Sequence, residues 1–229
     1  MAQKKIKDIL FVIQSRIDSK RLPGKMLLPF CDTNLFSLSI EKILKSSILP
    51  RENFYVSLYD EELIEIAEKY GVNIFKRSKE SVSESTDTRV VSEWHKLPYK
   101  YFITINACCP LLSIKTIDSF IQHFLESPHE SLFAVHENKN FYWNQSGQLT
   151  TEYPGTLDTK LVENTYEAAH CLYAGSTEKI SKGIYLGSFT KNDPELFVVN
   201  PKETFDIDLP WHFKAAEILY THKEKFINE

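Results

Sequence analysis

The strongest constraint on what this chain can fold into is the regular exchange of two periodicities over its first 135 residues. Short β-branched and aromatic runs at 9–13, 54–58, 72–75, 101–105 and 132–135 alternate with segments at 35–44, 61–70, 86–96 and 113–125 whose apolar residues recur at helical spacing. Gly71 stops the second helical segment, because glycine takes up the left-handed turn that ends a helix. Strands joined through helices must run parallel, and such a sheet is buried on both faces. At 229 residues the chain is long enough to bury that sheet in one domain, 1–229. Ligands of such sheets sit at the carboxyl ends of the strands, so the segment after residues 9–13 is the first place to look for function.

That segment, Gln14-Ser-Arg-Ile-Asp-Ser-Lys-Arg-Leu-Pro-Gly-Lys25, carries four cations, two serine hydroxyls and a Pro-Gly turn. The chain as a whole has a net charge of −4, which argues against a general nucleic-acid binder. Residues 1–25, however, hold seven basic and two acidic side chains, so the positive charge is concentrated where a local anion site would need it. It is not a Walker A loop, since Ser19 and Met26 stand where that motif requires glycine and a hydroxyl residue. A glycine-rich dinucleotide fingerprint is also missing. Any phosphate would therefore be held by side chains, Arg16 as a planar fork and Lys25 as a movable point charge. On the residues alone, a phosphate site and a solvated basic turn are equally open.

Near the other end lies Phe205-Asp-Ile-Asp-Leu-Pro210. In extended backbone Asp206 and Asp208 share one face, and two carboxylates on one face suit Mg²⁺, whose other ligands are commonly phosphate oxygens. The competing reading makes Asp208 the cap of the last helix, expected over 211–223, with Pro210 in its first turn. Residues 138–169 have no sustained period and read as an insertion or interaction arm, in which Phe141, Tyr142 and Trp143 suit a contact surface. Shorter strands are expected at 171–174 and 196–199. Four cysteines without a Cys-x-x-Cys pair read as reduced thiols, and seven scattered histidines as ordinary side chains. The longest apolar run is five residues, far short of a membrane span or a signal-peptide core, so the expected compartment is the cytoplasm and no membrane partner is expected.

Arg16, Ser19, Lys20, Pro23 and Lys25 together resemble the Arg-x-x-Ser-Lys-x-x-Pro-x-Lys loop of the acylneuraminate cytidylyltransferases. The Arg-Leu-Pro-Gly-Lys ending is similar to the related spore-coat polysaccharide proteins and 3-deoxy-manno-octulosonate cytidylyltransferases. Further similarity runs through Arg77 with Ser85-Thr86-Asp87-Thr88, through Asn106-Ala-Cys-Cys-Pro110, and through the Asp206–Asp208 pair. It touches residues 9–30, 77–112 and 196–222 in consistent order. The resemblance implies a three-layer, Rossmann-like, mostly parallel α/β sheet of the nucleotide-diphospho-sugar transferase type, with 138–169 as a dimerisation insertion in a homodimer.

It also implies a CTP-dependent transferase that joins CMP to an acidic, sialic-acid-like sugar and releases pyrophosphate, for surface polysaccharide or glycoconjugate synthesis. In that scheme Arg16, Lys25, Asp206 and Asp208 are catalytic, and the nucleotide meets Arg16, Ser19, Lys20, Lys25, Arg77, Thr86 and Asn106. Mg²⁺ is held by Asp206 and Asp208, and the sugar meets Asn106, Lys160 and Tyr166. Departures are Met26 for an asparagine, Asn106 for a glutamine, Cys108 where some relatives have aspartate, and Tyr166-Glu-Ala-Ala-His170 for Phe-Arg-Pro-Asn-Gly. A nucleotide-sugar glycosyltransferase and a non-catalytic nucleotide-binding relative are the alternative readings.

Overall fold

The computed structural model describes residues 3–83 and 85–223. Its first half alternates as the periodicity predicts: β1 (Ile9–Gln14), a small hairpin of β2 (Pro29–Phe30) and β3 (Thr33–Asn34), α1 (Leu35–Ile43), β4 (Phe54–Leu58), α2 (Glu61–Tyr70) and β5 (Asn73–Lys76). Two short helices follow, α3 (Lys79–Val82) and α4 (Thr88–Val91), then β6 (Tyr101–Ile105), α5 (Ile114–Glu126) and β7 (Leu132–Asn138). The chain closes with β8 (Thr165–Ser176), α6 (Thr177–Ser181), β9 (Glu195–Val198) and α7 (Pro210–Thr221).

Seven strands form one sheet in the order β5-β4-β1-β6-β8-β7-β9. Strands β5, β4, β1 and β6 are mutually parallel, β8 runs antiparallel to both neighbours, and β9 is parallel to β7. Residues 9–13 of β1 are fully buried because both of its faces are covered. Ile9, Phe11 and Ile13 belong to the large core that also holds Phe36 of α1, Leu63 of α2, Phe120 of α5 and Phe213 of α7. Leu10 and Val12 face a smaller core of Trp94, Phe102 and Ile180 on the other side. Three layers result, with the carboxyl ends of four parallel strands opening along one edge.

Two expectations are corrected. The helix expected over 86–96 is α4 followed by a separate 3-10 turn at Glu93–Lys96, broken where Ser92 leaves helical geometry at φ −111° and ψ 47°. That break turns Trp94, 1% exposed, into the smaller core against the Phe102 ring. Strand β8 begins well before 171, since its first residues pair with Val135–Asn138 of β7. Glu167 and His170 lie exposed there, so the segment lacks the apolar run that marks a buried strand. The excursion between β7 and β8 is therefore 139–164. Among the described residues no helix is long and apolar enough to cross a membrane.

Candidate functional site

The basic loop is built on a buried frame. Leu22 and Met26 sink into the large core, so the residue that departs from the asparagine of the resembling loop is a packing residue here. Gly24, at φ +68°, makes the left-handed turn between them, and its amide donates back to Ile17 O at 3.2 Å. The Ile17 amide is held by Asp60 Oδ2 at 2.9 Å, just after β4. With those anchors fixed, Arg16, Lys20 and Arg21 stay exposed, and Ser19 and Lys25 are half-buried.

Lys25 reaches across to the segment before α7. Its ammonium donates to Ile207 O at 2.7 Å and lies 3.4 Å from Asp208 Oδ1. Arg21 closes on the same carboxylate oxygen at 2.7 Å. Asp208 is therefore not the helix cap: Leu209 takes that position without a side-chain bond, and the Asp208 amide donates to His212 Nδ1 at 3.1 Å. Ile207 is buried while Asp206 and Asp208 are half-buried, the alternation expected of extended backbone.

Asn106, just past β6, ties a third segment to these two. Its amide NH₂ donates to His170 O at 2.9 Å and approaches Asp206 Oδ1 at 3.5 Å, and its oxygen accepts the Cys108 amide at 2.8 Å. The Ile207 amide in turn donates to Cys108 O at 3.0 Å. Burial, reinforced by the nearby Asp208 charge, raises the Asp206 carboxyl above its usual range. Burial works against the Lys25 ammonium, but Cys108, Asp208 and Asp206 around it outweigh that and hold its pKa above the ordinary lysine value. Burial pushes the Cys108 thiol up to about 11, so it is protonated at neutral pH. A pair of carboxylates, Asp206 with a raised affinity for a proton, thus stands beside the basic loop.

Two cavities open from this edge and share Gln14 and Val91. One, of about 420 Å³, is lined by Ser15, Arg16, Arg77, Ser81, Ser83 and Ser85. The other, of about 370 Å³, runs past Thr86, Thr88, Thr104, Asn106, Tyr173 and Tyr185. Arg77 lines the first, and Nε and Nη2 of its guanidinium are engaged internally: Nε donates to Ser81 Oγ at 2.9 Å, and Nη2 to Ser81 O at 2.5 Å and Val91 O at 3.3 Å. Arg16, whose Nη1 donates to Val82 O at 2.9 Å, leaves its remaining donors facing out.

The structure thus brings together Lys25, Asn106, Asp206 and Asp208, with Arg16, Arg77 and Thr86 on the adjoining cavity walls. It does not bring Lys160 or Tyr166 to them. Lys160 is exposed in a 3-10 turn of the 139–164 excursion. Tyr166, 49% exposed, lines a separate surface cavity with Phe189, Lys191 and Leu196. His170, which entered the sequence reading only as the end of the departing Tyr166-Glu-Ala-Ala-His170 stretch with no role given to it, sits at a left-handed bend (φ 51°) with Nδ1 2.9 Å from Tyr173 Oη. Sequence reasoning missed Tyr185, whose hydroxyl meets Thr104 Oγ1 at 2.9 Å, because no motif flags it. Arg21 was visible as a loop cation, but its pairing with Asp208 required the fold.

A family model described as Cytidylyltransferase matches residues 10–181. The pseudaminic acid cytidylyltransferase of Campylobacter jejuni is 28% identical over 234 residues, covering 95% of this chain and 99% of that protein. The spore coat polysaccharide biosynthesis protein SpsF of Bacillus subtilis is 31% identical over 124 residues, about half of each chain. Among solved structures, CMP:2-keto-3-deoxy-manno-octonic acid synthetase complexed with CTP superposes with a TM-score of 0.68 at 16% identity, over 94% of this chain and 99% of that one. At that identity the likeness is one of fold.

Proposed function

The chain belongs to the cytidylyltransferase family, and from that membership we propose that it transfers CMP from CTP to an acidic sugar of the nonulosonate class and releases pyrophosphate. The observation that carries the reading is the meeting of the basic loop with the carboxylate pair, Lys25 lying 3.4 Å from Asp208 at the carboxyl edge of the sheet. The full-length similarity to a pseudaminic acid cytidylyltransferase supports the sugar class.

In this reading Arg16, Lys20 and Lys25 neutralise the triphosphate, and Lys25, fixed by Ile207 O, stays placed as charge builds on the α-phosphate. Asn106 holds Asp206 in register with the turn that follows β6. Asp206 and Asp208 suit Mg²⁺, an ion commonly held by one or two carboxylates with phosphate oxygens completing its shell. No group of three His, Cys, Asp or Glu side chains converges among the described residues, which fits a metal shared with substrate better than a closed protein site. When bound, Mg²⁺ would lower the pKa of the attacking sugar hydroxyl and offset phosphate charge. The carboxylate pair directly precedes the last helix, whereas a glycosyltransferase would carry it at mid-chain after a strand. We further propose a homodimer in which 139–164 meets the partner.

Pyrophosphate release with CTP, Mg²⁺ and a panel of acidic sugars tests this directly, with UTP, ATP and GTP as controls and an EDTA blank. Sugar-dependent, CTP-selective release is expected. Silence across the panel, together with no CTP binding by calorimetry, would exclude the reaction.

A further inference from the structure

Strand β1 ends on Gln14, and alternation puts its side chain on the face of Leu10 and Val12, above buried Trp94. The Trp94 indole Nε1–H donates to the Gln14 amide oxygen at 2.8 Å. An indole N–H can only donate, so the oxygen must face Trp94 and the amide NH₂ must turn away from it. Gln14 forms the wall shared by the two cavities, and among the described residues no hydrogen bond satisfies that NH₂ group. Beside it the Ser15 hydroxyl is buried with no partner among the described residues, and Ser15 lines the first cavity. Unanswered polar groups at the mouth of a cavity mark a place where a ligand supplies the partner.

The ligand is constrained by position. With a triphosphate on the loop that starts at Arg16, the nucleoside falls in the cavities that open on either side of the residue two before it. We propose that Gln14 reads the base: its NH₂ group donates to the N3 acceptor of cytosine, and Trp94 is the positioning residue that fixes the polarity of the amide. Uracil carries an N–H at the same ring position, so donor would face donor and UTP is rejected. The inference rests on the cytidylyltransferase reading and adds to it the group that chooses between the two pyrimidines.

Calorimetry on the full chain with CTP, UTP and inorganic triphosphate tests it. Gln14→Glu presents only acceptors to the cavity, and should cut CTP affinity roughly ten- to a hundredfold relative to UTP, while the repulsion of its charge on the triphosphate is common to both nucleotides and is read separately from inorganic triphosphate. Trp94→Phe keeps an aromatic ring but removes the donor, so the amide is free to turn its oxygen to uracil and the CTP preference should narrow. Should the Trp94 variant fail to fold, Gln14→Leu at a half-buried position serves instead, with loss of preference expected. An unchanged CTP-to-UTP ratio in the Gln14 variants would overturn the assignment. Wild-type protein that binds neither nucleotide more tightly than inorganic triphosphate would instead remove the cytidylyltransferase reading itself, and this assignment with it.

Discussion

Lys25 illustrates how this site is assembled from opposites. Taking an ammonium half out of water is unfavourable, yet Ile207 O at 2.7 Å and Asp208 at 3.4 Å hold it there. Removing the charge leaves two half-buried carboxylates, of which Asp208 keeps Arg21 as an ion-pair partner. Lys25→Met should therefore lower turnover by roughly 10²- to 10³-fold, the range seen when one donor to a developing anion is lost. Steady-state pyrophosphate release would show it, and a variant within threefold of wild type would remove Lys25 from the mechanism. Asp206 tests the other sign. Its carboxyl is raised by burial and by Asp208, so the ionised form is a cost to the empty fold. Asp206→Asn keeps the shape and relieves the repulsion. Its melting temperature without ligand should equal or exceed that of wild type, while the further rise with CTP and Mg²⁺ together is lost. A variant that still gains stability from the pair as wild type does would show that Asp206 holds no metal.

The elements owe their placement to less obvious pins. Asp193 accepts the Ser131 hydroxyl at 2.6 Å and both the amide and the hydroxyl of Ser188 at 2.8 Å, fastening the segment before β9 to the start of β7. These bonds hold its pKa down to about 2. Because the folded value lies below the unfolded one, the contribution is complete above about pH 4 and disappears as pH falls toward 2. Asp193→Ala should cost about 1–2 kcal/mol at neutral pH, for bonds to a partly exposed charge, and flatten the stability profile between pH 4 and 2. Gly187 is required by the same pin: a Cβ there would lie 2.0 Å from Asp193 Oδ1. Gly187→Ala should therefore destabilise at least as much as Asp193→Ala in urea titration, and the double variant should fall short of the sum. None of this was legible in the sequence, because an aspartate six residues from a glycine carries no period. What was legible carried strong local signals: five continuous apolar residues made β1, and Gly71 ended α2 in the left-handed conformation at φ 62°. The two-residue alternation placed Asp206 and Asp208 on one side. Where a strand is half exposed, as at 165–170, or a helix breaks to bury one tryptophan, tertiary packing decides and the local pattern is silent.

At the scale of the whole molecule, the central strand β1 buries its apolar side chains completely, whereas the excursion between β7 and β8 leaves large apolar side chains exposed. Phe141 lies 6.3 Å from Trp143 and 6.2 Å from Tyr153, ring centre to ring centre, so the three form one aromatic group. Trp143 is 62% exposed, and Leu157 farther along is 79% exposed. Monomeric proteins seldom leave a contiguous aromatic surface in water, since covering it is worth about 25 cal/mol for each Å² of apolar area. The excursion joins the end of β7 to the start of β8, and Trp143 and Tyr153 stay exposed on it. In the proposed homodimer a second copy would supply the cover, and a two-fold pair would cover both aromatic groups at once, as closed symmetry favours. The protein should therefore sediment at about twice its 26.6 kDa. Replacing Trp143 and Leu157 together by serine should return it to the single-chain mass with an unchanged far-ultraviolet circular dichroism spectrum, because neither side chain belongs to the core. Wild-type protein that sediments as a single chain at micromolar concentration would defeat the dimer. So would a double variant that stays paired, since the contact would then lie on another face.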